Sequence, residues 1–236
     1  MTLAENIQKV QARIAAAAEQ AGRDPSEVTL VAATKVQTSE TIRAAIAAGI
    51  TVCGENRAQE FTQHWQDGAY EGAKVHFIGH LQKNKLKYLV GKVDLIESVD
   101  SEELIRLIDK RAQNLGIVQD ILIEVNIGGE ASKSGVKPEE VEALVALAAS
   151  LPGVEPRGLM AIPPVAQEPG ANRAVFAAMR QLFIDIKGKT YNNKVNIDCL
   201  SMGMSGDFED AIAEGATQVR VGTALFGARP ANRVNG

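Results

Sequence analysis

Lys35 closes the first strongly apolar stretch of the chain, VTLVAATK at residues 28–35. Apolar and β-branched residues in a short run predict a buried strand. A lysine at the C-terminal mouth of such a strand stands where α/β proteins keep their chemistry. Its amine can attack a carbonyl and form a Schiff base once desolvation or a neighbouring cation lowers its pKa. A solvated lysine that merely ends a strand fits the same stretch. Two further segments bear on the choice. LSMGMSG at 200–206 carries Ser201, Met202 and Ser205, and VRVGT at 219–223 carries Arg220, Gly222 and Thr223. Small hydroxyl and glycine residues at a turn can cradle a phosphate through hydroxyl and backbone N–H donors, although a Gly/Ser-rich turn can also be only a turn.

The elements that would position these residues follow from periodicity. Apolar runs predict eight strands, at 28–35, 51–54, 75–79, 94–99, 121–127, 158–162, 198–202 and 218–221. Helical spacing predicts helices at 3–21, 39–48, 56–65, 84–90, 101–115, 137–150, 173–187 and 208–214. Ser39 and Ser101 stand where N-caps belong, and Gly22, Gly49 and Gly215 where helices stop. Strands alternating with helices predict an α/β fold, a single (β/α)8 barrel over residues 1–236 with an extra N-terminal helix. The structural rival is a doubly wound open sheet, and no Gly-x-Gly-x-x-Gly follows the first strand to support its dinucleotide version. The stretch 163–171 is expected to be loose, and the tail 230–236 frayed.

In a barrel every loop after a strand opens on one face, and the loops after strands seven and eight form the common phosphate site. Ser201, Ser205, Gly222 and Thr223 fall there. Lys35, Asn56, His80 and Met160 fall on the same face. Arg220 lies inside an apolar strand, where a guanidinium costs stability unless it meets an acceptor. The ring nitrogen of a bound cofactor is such an acceptor, and arginine, always protonated, would leave it unprotonated. A Schiff-base lysine, a phosphate cradle and a cation for a pyridine nitrogen together describe a site for pyridoxal 5′-phosphate (PLP).

Other features read as structure. His64, His76 and His80 form no metal motif. Asp207, Glu209 and Asp210 open a helix, where acids favour the dipole. Lys83, Lys85 and Lys87 read as a solvated face, and SKSG at 132–135 as a mobile loop. Met202 and Met204 could pack around a cofactor. The formal net charge of −4 points to neither nucleic acid nor a membrane surface. Two distant cysteines suit a reduced cytosolic protein, and the N-terminus lacks the pattern of a signal peptide.

Seven collinear blocks make the chain recognisable: AATK at 32–35, GENRAQE at 54–60, HFIGHLQKNK at 76–85, NI at 126–127 with SKSG at 132–135, RGLMAI at 157–162, LSMGMS at 200–205 and VRVGTALFGAR at 219–229. On these blocks the chain closely resembles the pyridoxal phosphate homeostasis protein family, also called the proline synthase co-transcribed family. The resemblance implies an alanine-racemase-like barrel, PLP as cofactor and an aldimine on Lys35. It implies that Ser201, Gly222 and Thr223 hold the phosphate, that Arg220 faces the pyridine nitrogen and that Asn56 lines the cofactor's edge. It further implies a protein that buffers PLP supply, with effects on amino-acid and keto-acid balance and no firm catalytic activity. Val75 departs from the family, many of whose members have an aromatic residue there.

The rival is a PLP-dependent amino-acid racemase. Two-base racemisation needs a proton-transfer group on each face of the substrate. Lys35 could serve one face, but Tyr70, Tyr88 and Tyr191 fall on no predicted strand-end loop. Alanine racemases resemble this barrel plus a further β-domain, whereas this sequence is expected to form the barrel alone. The sequence therefore favours a monomeric PLP carrier or regulator, with PLP-dependent apo-enzymes as candidate recipients. A lysine-dependent aldolase without PLP is a third reading, separable by colour.

Overall fold

The computed structural model describes residues 2–129, 134–164, 168, 170–189, 191 and 195–227. Eight parallel strands close into a barrel in chain order. They are β1 (Thr29–Ala33), β2 (Val52–Glu55), β3 (Lys74–Phe77), β4 (Leu95–Val99), β5 (Gln119–Val125), β6 (Val154–Ala161), β7 (Cys199–Ser201) and β8 (Gln218–Val221). The ring closes where β1 pairs with β8, with Val31 opposite Arg220. Around it run α1 (Leu3–Gln20), α2 (Ser39–Ala47), α3 (Ala58–Gln66), α4 (Leu86–Leu89), α5 (Glu102–Leu115), α6 (Val141–Ser150), α7 (Arg173–Lys187), α8 (Phe208–Ala213) and α9 (Thr223–Phe226).

The barrel class, all eight strands and the N-terminal helix match expectation. The differences are local. β1 stops at Ala33 because the chain turns at Lys35. The helix expected at 84–90 is a 3-10 turn, Lys83–Lys85, followed by the single turn of α4. The N-cap of α2 is Thr38, since the Ser39 hydroxyl is taken by Asp67 Oδ2 at 2.6 Å. Ser101 caps α5 as expected, accepting from Leu104 N. The short helix α9 was not foreseen, because four residues carry no periodicity. The expected mobile loop at 132–135 and loose stretch at 163–171 lie partly, and the frayed tail wholly, outside the described residues.

α1 shows why the chain needs its extra helix. Thr2 and Glu5 form a capping box, and Ile7, Val10, Ile14, Ala17 and Ala18 make one buried stripe. Each of its buried branched side chains contributes about 1.5–3 kcal/mol before entropy is subtracted. Asn6 Nδ2 donates to Leu225 O at 3.0 Å, tying α1 to α9 behind the mouth of β8.

Two cores result. A large one lies between the strands and the helices, with Phe61, Phe77, Phe176 and Phe208 fully buried in it. A small one, Leu95, Leu122 and Met160 with Cys199 against it, lies inside the barrel. Val31 and Ile78 also meet inside, over Gly54, and the buried polar groups His76, Glu97, Ser201, Gln218 and Arg220 underlie the site.

Candidate functional site

Lys35 is half-buried in a turn just past β1. Gln37 N donates to Thr34 O at 3.0 Å, so Lys35 and Val36 are the central residues. Val36 has φ of +61°. A positive φ at the third position is the type II pattern, which favours glycine. For a β-branched residue it is strained, by about 1–3 kcal/mol. Two carboxylates of the GENRAQE block flank the lysine. Thr34 Oγ1 donates to Glu55 Oε1 at 2.5 Å, and Val36 N donates to Glu60 Oε2 at 3.0 Å.

Glu55 is fully buried on the outer side of β2. Its Oε1 also accepts from the Tyr70 hydroxyl at 2.9 Å and lies 3.3 Å from His64 Nδ1. The Glu55 hydrogen bond raises the His64 imidazole above its ordinary value, against the opposing effect of burial. Burial, then the Glu55 charge, push the Tyr70 phenol upward.

The loops after β7 and β8 meet beside this turn. Ser205 Oγ accepts from Gly222 N at 3.2 Å and Ala224 N at 3.3 Å. Thr223 is exposed at the first position of α9. The Asp207 carboxylate fixes the β7 loop from below, accepting from Met204 N and Asn172 Nδ2, each at 2.7 Å. Gly203 has φ of +92°, and a Cβ there would lie 2.5 Å from the Ala211 Cβ, so this bend requires glycine. A Cβ on Gly222 would lie 3.4 Å from the Ala33 Cβ. The turn of Lys35 and the Gly222–Thr223 turn therefore leave the barrel side by side.

Beneath them Arg220 points into the barrel. Its Nη1 donates to Ser201 Oγ at 2.6 Å and its Nη2 to Ala161 O at 2.7 Å. Glu97, fully buried, is the counter-charge, with Oε2 at 3.9 Å from Nη1. Glu97 accepts from Ser201 Oγ at 2.6 Å and Gln218 Nε2 at 2.6 Å, and lies 2.8 Å from His76 Nδ1. Partners on β3, β7 and β8 are within reach only of an inward side chain. Burial alone would raise the Glu97 carboxyl. The His76 hydrogen bond, the charges of His76 and Arg220 and the Ser201 hydroxyl outweigh it and hold Glu97 below its ordinary value. Burial lowers the Arg220 guanidinium from its ordinary value, while Glu97 and Glu124 oppose that shift.

Two of the expected contact residues lie deeper than the loop. Ser201 is fully buried, and its hydroxyl is engaged by Glu97, Gln218 and Arg220. It supports Arg220 from within the barrel and does not line the loop with Ser205. Met202 is fully buried in the outer core. Strand alternation sends it outward because Ser201 points inward. Met160 is buried inside the barrel, in the small core.

Asn56 follows β2, and its Oδ1 is buried without a hydrogen bond among the described residues. Its loop presses on the next one, since a Cβ on Gly79 would lie 2.0 Å from Asn56 O. Between these loops a cavity of about 510 Å³ opens, lined by Asn56, Phe77, His80 and Lys85 among others. A larger cavity of about 780 Å³ lies at the opposite, N-terminal end of the strands. There Arg157 bridges Asp120 and Asp198. That end of such barrels serves stability, whereas the mouth serves chemistry. No group of three or more His, Cys, Asp or Glu among the described residues could hold a metal ion.

Sequence reasoning placed Glu55 at a strand end and Glu60 in a recognisable block but gave neither a role, and it passed over Glu97. Glu97 did carry a signal, a lone acid within an apolar strand that also predicts a buried partner. The partners of Glu55 and Glu60 depend on a turn type that the residues Lys35 and Val36 do not announce.

The alanine racemase N-terminal domain family matches residues 3–230. A pyridoxal phosphate homeostasis protein of Aquifex aeolicus is 46% identical over 229 residues, 97% of this chain and 99% of its own length. The structure of PipY from Synechococcus elongatus with PLP bound superposes with a TM-score of 0.83 at 32% identity, covering 96% of this chain and all of that one (100%). A Clostridium difficile alanine racemase shares the fold with a TM-score of 0.74 at 16% identity, covering 98% of this chain and 59% of the racemase. On these similarities the chain belongs to the pyridoxal phosphate homeostasis protein family and has the alanine-racemase barrel fold.

Proposed function

We propose that this chain binds PLP at the mouth of its barrel, tethers it on Lys35 and serves intracellular PLP homeostasis as a carrier. The observation that carries the reading is the meeting of three features. The Lys35 turn emerges beside the Gly222–Thr223 turn, and buried Arg220 lies beneath both. When bound, PLP supplies an aldehyde that a lysine amine can capture with loss of water, a pyridine nitrogen and a phosphate.

The residues fit that group. The buried, unpartnered Asn56 Oδ1 is an acceptor ready for a donor at the cofactor's edge. Ser205, Gly222 and Thr223 would hold the phosphate through hydroxyl and backbone N–H groups. Arg220, kept charged against Glu97, would face the ring nitrogen, and Met160 would pack below. Ser201 and Met202 act behind this set, through Arg220 and the outer core.

The same geometry favours a carrier over a racemase. Tyr70 is committed to Glu55 on the outer side of the barrel. Tyr88 sits on α4, and Tyr191 follows α7. None of the three stands at a strand-end loop as a second base. The reading extends to one domain over residues 1–236, a monomer, a cytoplasmic location and PLP-dependent apo-enzymes as recipients. No helix among the described residues is long and apolar enough to cross a membrane.

The test is a visible spectrum of the untreated protein, followed by alanine α-proton exchange in deuterated water. A yellow protein without exchange supports the carrier. Enzyme-like exchange would make it a racemase, and a colourless protein that takes up no added PLP would remove the cofactor altogether.

A further inference from the structure

We propose that Glu60 is a positioning residue for Lys35. It holds the central peptide of the lysine's turn in its left-handed form and so sets how the lysine enters the barrel mouth. The proposal rests on the reading of Lys35 as the tether for PLP.

Val36 is the only non-glycine residue with a positive φ among the described residues. Valine has no preference for that conformation, so its surroundings must impose it. The Gln37 N to Thr34 O bond closes the turn but does not choose its type. Type I and type II turns share that bond and differ by a flip of the central peptide, a change of about 150° in ψ of the second residue. Here the second residue is Lys35, and the central peptide carries the Val36 N–H. Glu60 Oε2 accepts that N–H at 3.0 Å. The hydrogen bond thus acts on the peptide whose orientation separates the two turns.

Glu60 is itself well placed to hold one geometry. It lies in the first turn of α3, where a carboxylate is favoured by the helix dipole. Its other oxygen, Oε1, takes Arg57 Nη1 at 3.3 Å, which leaves Oε2 to the turn. The Arg57 side chain is 65% exposed, so its contribution is small. On the other side of the lysine, Thr34 is anchored to buried Glu55. The residues before and after Lys35 are both pinned by the segment that follows β2.

The test compares Glu60→Ala, Glu60→Gln, and Glu60→Ala combined with Val36→Gly, each loaded with PLP. The readouts are PLP release by absorbance, the induced circular dichroism of the bound cofactor and Val36 amide exchange in the PLP-free protein. Glu60→Ala should release PLP about tenfold faster, the upper scale of one ordinary hydrogen bond. It should also alter the dichroic band and speed Val36 exchange. Glu60→Gln keeps a carbonyl acceptor and should behave nearly as wild type. Val36→Gly should recover most of the loss, since glycine takes a positive φ unaided. The proposal is overturned if Glu60→Ala changes nothing, if Glu60→Gln matches Glu60→Ala (a charge effect on the amine), or if glycine gives no recovery. Failure of the underlying reading has its own signature. In that case wild-type protein carries no borohydride-reducible PLP on Lys35, and the positioning role falls with it.

Discussion

Two fully buried glutamates stand behind the mouth of this barrel, and they are built differently. Glu97 points inward and shares its two oxygens among His76, Gln218 and Ser201, with the permanent charge of Arg220 nearby. Glu55 points outward and places Thr34, Tyr70 and His64 on one oxygen, Oε1, while Oε2 has no hydrogen bond among the described residues. Each is paired with a histidine, yet only Glu97 faces a guanidinium. The difference shows what each carboxylate does. Glu97 keeps a buried cation charged and aimed, whereas Glu55 anchors the backbone just before Lys35. A buried charge is tolerated when it is compensated, and the strength of that compensation decides how much its removal costs.

The largest expected effect follows from this contrast. Glu97→Leu leaves Arg220 buried without its counter-charge and should cost about 3–5 kcal/mol in chemical denaturation. Glu55→Leu strands only neutral donors and a histidine, so about 1–3 kcal/mol is expected. Equal losses, or a larger loss at Glu55, would break the comparison. The acid side sharpens it. Glu97 is held below its ordinary value in the folded state. Its contribution is therefore full above the ordinary glutamate pKa of about 4.3 and is lost as pH falls through the lower folded value. Wild-type melting temperature should fall along that limb, and Glu97→Gln should flatten it. A smaller effect is expected at the rim. Thr223→Val should weaken PLP retention about tenfold with an unchanged melting temperature of the PLP-free protein. Unchanged retention would remove Thr223 from the phosphate set.

The sequence shows the barrel clearly because its signals are periodic. Eight apolar runs between amphipathic helices leave few alternatives, and each observed strand overlaps its predicted run. It also shows which loops meet at the mouth, since a parallel barrel opens them all on one face. What it hides depends on side-chain direction and turn type. Ser201 looks like a phosphate ligand by residue type, yet strand alternation and the reach of Glu97 turn it inward. Met202 looks like a cofactor neighbour and is sent outward by the same alternation. Glu60 lies in a recognisable block, but its role depends on the positive φ of Val36, which valine does not predict.

Covalent attachment at Lys35 is what makes the barrel mouth a PLP carrier. The most direct test is borohydride reduction of PLP-loaded protein, followed by peptide mass spectrometry of wild type and Lys35→Ala. One reduced pyridoxyl group per chain on the Lys35 peptide, absent from Lys35→Ala, is the predicted result. The same stoichiometry of reduced PLP in Lys35→Ala would contradict it.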